Sequence, residues 1–134
     1  MATFVLVHGA WHGAWCWYKL IARLEARGHR ALAPDLPGSG RDRSNAAPAT
    51  YRDYVGRITE VLQAEPEPVV LVGHSMGGAI ITGAAEAVPG KVAKLAYLCA
   101  FLGLSGRSTL EHAAGRPTPA SARHIVPSAS LLCE

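Results

Sequence analysis

VVLVGHSMGG, residues 69–78, is the stretch on which the reading of the fold turns. Its first five residues are an unbroken apolar run, the pattern of a strand buried on both faces. His74, Ser75 and Met76 then make a turn, and small residues continue as a helix to about Val88. Gly73, Ser75 and Gly77 give the spacing G-x-S-x-G. A serine on so tight a strand-to-helix turn has strained backbone angles that lift its Oγ above the sheet, and the flanking glycines keep side chains out of the corner. Gly78 lets the helix lie close to the strands. The helix N-terminus offers backbone N–H groups to a developing oxyanion, with that of Met76 as the natural first donor. Three fixed positions recur by chance in many chains, and a Gly/Ser turn in an unrelated α/β domain is the plain alternative. The apolar strand before the serine and the helix after it supply the context a nucleophile needs.

Outward from this turn the elements alternate. Residues 3–8, TFVLVH, and residues 29–33, HRALA, read as strands, and residues 92–99, VAKLAYLC, as a fourth. Between the first two, Trp17, Leu20, Ile21 and Leu24 fall at helical spacing over residues 15–27, and Gly28 is placed to stop that helix. Residues 50–64 return to helical spacing through Tyr54, Ile58, Val61 and Leu62, with Thr50 as cap and Asp53 three residues on. Pro66 and Pro68 close it. Strands separated by helices predict βαβ units, a parallel sheet and right-handed crossovers. The predicted class is α/β, a three-layer α/β/α sandwich that stops after about four strands. Residues 1–102 form its core. Residues 103–134, rich in Gly, Ser, Pro and Ala, read as a weakly structured tail.

The chain has 134 residues, a normal size for one domain, and a formal net charge of +3 from scattered arginines. No basic stripe suggests a nucleic-acid partner. The longest apolar runs are broken by Gly, His or Pro, short of the roughly 20 residues that span a bilayer. The chain enters a strand pattern at Thr3 with no leader pattern before it, so a soluble, cytoplasmic protein is expected. Cys16, Cys99 and Cys133 stand apart and suggest reduced thiols, with Cys99 a buried hydrophobe. The histidines show no zinc spacing, and no metal is expected. A dinucleotide site would want G-x-G-x-x-G after the first strand. Gly9 and Gly13 are instead four apart with bulky residues between them, and only Asp35 imitates the expected acid. No cofactor is expected.

These motifs together carry a likeness. FVLVHGAWHGAWCW at 4–17, the Gly28-His29 pair, APDLPGSGRD at 33–42 and VLVGHSMGG at 70–78 resemble the α/β-hydrolase superfamily. Within it they resemble the small esterases related to plant methyl-ester esterases and hydroxynitrile lyases. The resemblance is placed on residues 1–102 as the N-terminal half of such a domain. FLGLSGRSTLEHAAG at 101–115 looks like the start of its cap region, so the likeness covers about 115 residues. It implies Ser75 as catalytic nucleophile, the N–H groups of Ala10 and Met76 as oxyanion donors, and Gly9, Trp11 and His12 at the pocket. It also implies that the first strand lies between the second and third, with the fourth outside the third. The related lyases carry threonine where this chain has Gly9, which favours ester hydrolysis.

A serine hydrolase needs a histidine base and an acid, following the nucleophile in the order Ser, Asp or Glu, His. After Ser75 the only acids are Glu86, Glu111 and Glu134, and the histidines are His112 and His124. None matches the acid or base that the resemblance implies. A Ser75–Glu111–His124 triad has the right order but falls in the tail. The expectation is an esterase-like chain acting on a small-molecule ester, incomplete on its own. The alternatives are a non-catalytic or fold-completing fragment, or hydroxynitrile lyase-like chemistry. The strand at 92–99 would leave an unpaired edge open to self-association.

Overall fold

The computed structural model describes residues 1–43 and 48–102. Four strands form one sheet: β1 (Thr3–Val7), β2 (Arg30–Leu32), β3 (Val69–His74) and β4 (Val92–Leu98), in the order β2-β1-β3-β4. All pairs are parallel, with Thr3 opposite Arg30, Phe4 opposite Val70 and Leu71 opposite Leu95. The helices are α1 (Tyr18–Glu25), α2 (Tyr51–Ala64) and α3 (Gly77–Ala87). From β1 the chain first steps to one side, to β2, and then crosses back over β1 to β3. Right-handed crossovers therefore put α1 on one face and α2 with α3 on the other, making the three-layer sandwich.

Side chains alternate between the two faces of a strand. Val5 and Val7 of β1 and Val69 and Leu71 of β3 join Ile58 and Leu62 of α2 and Ile80, Ile81 and Ala84 of α3 in one fully buried cluster. Leu6, between Val5 and Val7, is equally buried and faces the α1 side. An apolar run without alternation, as β1 shows, is what two covered faces require.

The helix ends follow their sequence signals. In α2, the Thr50 Oγ1 accepts from the Asp53 N–H while the Asp53 carboxylate accepts from the Thr50 N–H at 2.8 Å, closing a capping box. After α1, Gly28 stands at φ 77; its N–H donates to Glu25 O, and the His29 N–H donates to Leu24 O. This pair of bonds is a Schellman ending, for which the positive φ requires glycine. Arg30 at the start of β2 pairs with the carboxylate of Glu65 just past α2.

Two expectations are corrected. Residues 15–27 do not form one helix, because a 3-10 turn over Ala14–Trp17 precedes α1. The Ala14 N–H is tied to the Asp35 carboxylate at 2.6 Å, which fixes a tight path into the helix. Cys99 is exposed rather than buried. It follows β4, whose outer edge pairs with nothing among the described residues, so that Leu95 and Leu98 are also exposed. No helix among the described residues is long and apolar enough to cross a membrane.

Candidate active site

The C-terminal ends of β1 and β3 lie side by side, with Val7 opposite Gly73, and bring two loops together. At the end of β3, Ser75 has φ 53, a left-handed conformation uncommon outside glycine. The Gly78 N–H donates to Ser75 O at 3.0 Å, starting the turn into α3, and the Phe101 N–H donates to the same oxygen at 3.0 Å. The glycines leave room where the backbone needs it. A Cβ at Gly73 would lie 2.6 Å from Gly77 O, and one at Gly77 would lie 2.7 Å from Val7 O. The helix thus reaches the strands at a distance only glycine permits.

The β1 loop closes over this turn. A Cβ at Gly9 would lie 2.9 Å from the Ser75 Cβ and 3.1 Å from His74 O, so Gly9 leaves no room for a side chain beside the serine. His8 is fully buried beneath the loop. Its Nδ1 donates to Gly9 O at 2.8 Å and its Nε2 accepts from the Leu36 N–H at 3.2 Å, so the ring is the neutral Nδ1-protonated tautomer. Burial lowers its pKa below the ordinary histidine value, the Gly9 hydrogen bond opposing that shift. His12 donates from Nδ1 to Ala10 O at 2.8 Å. Its ring stacks on Trp15 with centroids 5.5 Å apart and meets the edge of His74 at 6.1 Å. Trp11, between Ala10 and His12, is the second left-handed non-glycine residue here, at φ 60.

The structure therefore gathers Gly9, Ala10, Trp11 and His12 on one loop beside Ser75 and Met76. Trp11 and Trp15 are exposed and Trp17 is buried against His74, dividing the tryptophans between rim and core. Burial raises the Cys16 thiol's pKa, which keeps it protonated and a poor nucleophile. Glu111, His112 and His124 lie outside the described residues. A charged surface groove of about 330 Å³ lines Arg52, Asp53 and Arg57 of α2, away from the serine turn.

Sequence reasoning missed Asp35 as a structural partner. Its Oδ1 accepts from Ala14 N–H and its Oδ2 from Arg41 N–H at 3.0 Å, joining the loop after β2 to the loop after β1. Gly40, at φ 59, makes room for it: a Cβ there would lie 2.0 Å from Oδ1. The signal was the glycine-rich PGSG that follows Asp35-Leu36, which reads as a loop and carries no hint of its partner.

The sequence model of the Alpha/beta hydrolase family matches residues 4–132. This corrects the expectation of an N-terminal half only, with its core in residues 1–102 and the likeness ending near residue 115: the match runs on through the segment read as a weakly structured tail. The composition after Gly103 has no hydrophobic period by which pattern reading could follow it. A carbendazim-hydrolysing esterase of Nocardioides sp. (strain SG-4G) is 42% identical over 112 residues, covering 82% of this chain and 46% of its own. The alpha-hydroxynitrile lyase of Arabidopsis thaliana is 48% identical over 102 residues, covering 74% and 40%. The crystal structure of polyneuridine aldehyde esterase superposes with a TM-score of 0.77 at 36% identity, over 87% of this chain and 49% of that one. The chain spans less than half the length of these curated relatives, from 28% for a methylesterase of Arabidopsis thaliana to 49% for an esterase of Oryza sativa.

Proposed function

Because the chain belongs to the alpha/beta hydrolase family, we propose that it carries the nucleophile and the oxyanion donors of a carboxylic-ester hydrolase. The observation that carries this reading is Ser75 at φ 53 on a strand-to-helix turn, directly beside Gly9 of the β1 loop. Ser75 Oγ attacks the ester carbonyl and its proton passes to a base. The N–H groups of Ala10 and Met76 hold the oxyanion, the alcohol leaves, and water releases the acyl group. Among the described residues no histidine follows Ser75, so in this reading the base comes from outside them. Trp11 and His12, on the loop that Gly9 sets beside the serine, with Trp15 stacked on His12, support small esters with apolar or aromatic acyl groups. Hydroxynitrile lyase-like chemistry ranks below hydrolysis, since the threonine that the resemblance associates with lyases has no space at Gly9.

The test has two arms. The purified chain should hydrolyse p-nitrophenyl acetate near background, with no further loss in Ser75→Ala, because a serine without a base is a weak nucleophile. A chimera joining this chain to the remaining C-terminal part of the carbendazim-hydrolysing esterase should turn the ester over, and Ser75→Ala should abolish that. A folded chimera that is inactive, or whose activity survives Ser75→Ala, overturns the reading. The outer edge of β4, which no described residue pairs, and the exposed Leu95 and Leu98 support a second reading, in which the chain associates with a copy of itself or is completed by another segment.

A further inference from the structure

We propose that His12 is a positioning residue: together with His8 it fixes the two peptide planes on either side of Ala10, and so aims the Ala10 N–H at the oxygen that becomes negative above Ser75. The proposal rests on the ester-hydrolase reading and gives His12 a task other than lining the pocket.

In a trans peptide the C=O and the following N–H point in opposite directions. Gly9 O is held by the His8 Nδ1–H at 2.8 Å, so the Ala10 N–H of the same plane points away from the buried imidazole. That plane is half of what sets Ala10. The other half is the Ala10–Trp11 plane, whose carbonyl accepts from the His12 Nδ1–H at 2.8 Å. Two imidazoles thus grip consecutive carbonyls, and Ala10 has little rotation left.

The second grip also spans a strained residue. The His12–Ala10 bond closes around Trp11, whose φ of 60 is disfavoured for a bulky side chain and persists only where its surroundings enforce it. Trp11 itself is mostly exposed and has little packing to hold it there. The His12 ring is held by protein contacts, stacked on Trp15 and set against His74, so its Nδ1 stays aimed at the carbonyl without a substrate present. Without the bond, Ala10 O is free to turn to water and Trp11 to relax to negative φ, and the Gly9–Ala10 plane, left with the His8 grip alone, no longer holds the Ala10 N–H steadily toward the serine. At the far end of the loop Asp35 fixes Ala14 N–H, so the freed segment is short and local.

The experiment uses the whole chain and needs no turnover. His12→Phe keeps the stack on Trp15 and loses the donor; His12→Asn puts an amide N–H near the position of Nδ1. Two measurements are made on each variant and on the wild type. One is the NMR amide shift of Ala10 with the backbone shifts and coupling that report φ of Trp11. The other is titration with phenylboronic acid, whose boron takes the serine oxygen as that hydroxyl loses its proton to solvent, giving a tetrahedral anionic adduct with a hydroxyl oxygen where the oxyanion forms. His12→Phe should move the Ala10 and Trp11 signals toward negative φ and weaken boronate binding roughly tenfold, the upper range for one hydrogen bond. His12→Asn should restore both to within about threefold of wild type, a rescue that loss of bulk alone does not explain. Unchanged Trp11 signals and boronate binding in folded His12→Phe overturn the proposal, as does a failure of His12→Asn to rescue. If His12→Phe does not fold, His12→Ala is read by the same two measurements. A wild type that forms no Ser75-dependent adduct leaves the ester-hydrolase reading to the chimera assay above, and the NMR arm alone then decides whether His12 holds the loop: unchanged Trp11 and Ala10 signals in His12→Phe overturn the proposal.

Discussion

Replacing glycine by alanine should have opposite effects at Gly56 and Gly78, although both lie in helices. Gly56 is exposed in α2, and a Cβ there meets no atom within 4 Å. The substitution removes only the backbone freedom of glycine and should stabilise by about 0.5–1 kcal/mol. Gly78 is in the first turn of α3, where a Cβ would lie 2.3 Å from Phe101 O and 2.8 Å from the Ala100 Cβ. Nothing there yields cheaply, since the nearest atom is backbone and Phe101 N–H is bonded to Ser75 O. Moving that segment costs about 1–3 kcal/mol in overpacking and about 0.5–1.5 kcal/mol for the lost hydrogen bond. A propensity gain of at most about 1 kcal/mol offsets only part of this. Gly78→Ala should therefore destabilise by about 1–3 kcal/mol, equivalent to roughly 3–4 °C in Tm per kcal/mol for a chain of 134 residues. Urea denaturation followed by circular dichroism gives both values as shifts in midpoint at unchanged slope. A Gly78→Ala chain as stable as the wild type, or two variants that shift the same way, would refute the argument that space rather than propensity decides.

Other outcomes follow from the same structure. His8 must stay neutral to accept from Leu36, and its pKa is lowered on folding, so the unfolded chain binds more protons below about pH 6.5. Stability should be full above that pH and decline as pH falls toward the lowered folded value; a His8→Asn chain that keeps the same decline would contradict this. Thr50→Ala removes the acceptor for Asp53 N–H and should cost about 0.5–2 kcal/mol, read as a lower urea midpoint. Leu95→Lys puts a charge on the open strand β4, and sedimentation equilibrium should show less self-association than wild type; an unchanged distribution would place association elsewhere.

The elements were legible because each has a local cause. The runs at β1 and β3 lack alternation because both faces are covered, and Gly28 and Thr50 mark helix ends by their own backbone chemistry. The serine turn was legible through its local G-x-S-x-G spacing, although only Gly73 meets a neighbour a few residues on, while Gly77 makes room for Val7 and Gly78 for Phe101. What was not legible acts across the chain. Nothing near Asp35 announces Ala14 as its partner, and nothing near His8 announces Leu36. The start of α1 was misread because the tie to Asp35 lies outside the helical window, and Cys99 because burial at a strand end depends on whether another strand lies beyond it. The left-handed φ of Trp11 had no sequence signal at all, since tryptophan is among the residues least expected there.

The strand order has a consequence for how the chain acquires its structure in time. Of the four strands, β1 is synthesised before the others and sits inside the sheet, with β2 on one side and β3 on the other. Pairing Thr3 with Arg30 closes a modest loop, whereas pairing Phe4 with Val70 must wait for more than twice that length of chain. Until then one side of a wholly apolar strand has no partner, and parallel pairings of such separation are slow to form. Ser75, one residue beyond β3, takes its conformation only when that late pairing is made. The assembly of the serine turn is therefore tied to this slow pairing. Destabilising the β1–β3 pairing should delay both together, and an early folding intermediate should hold β1, α1 and β2 without a formed site.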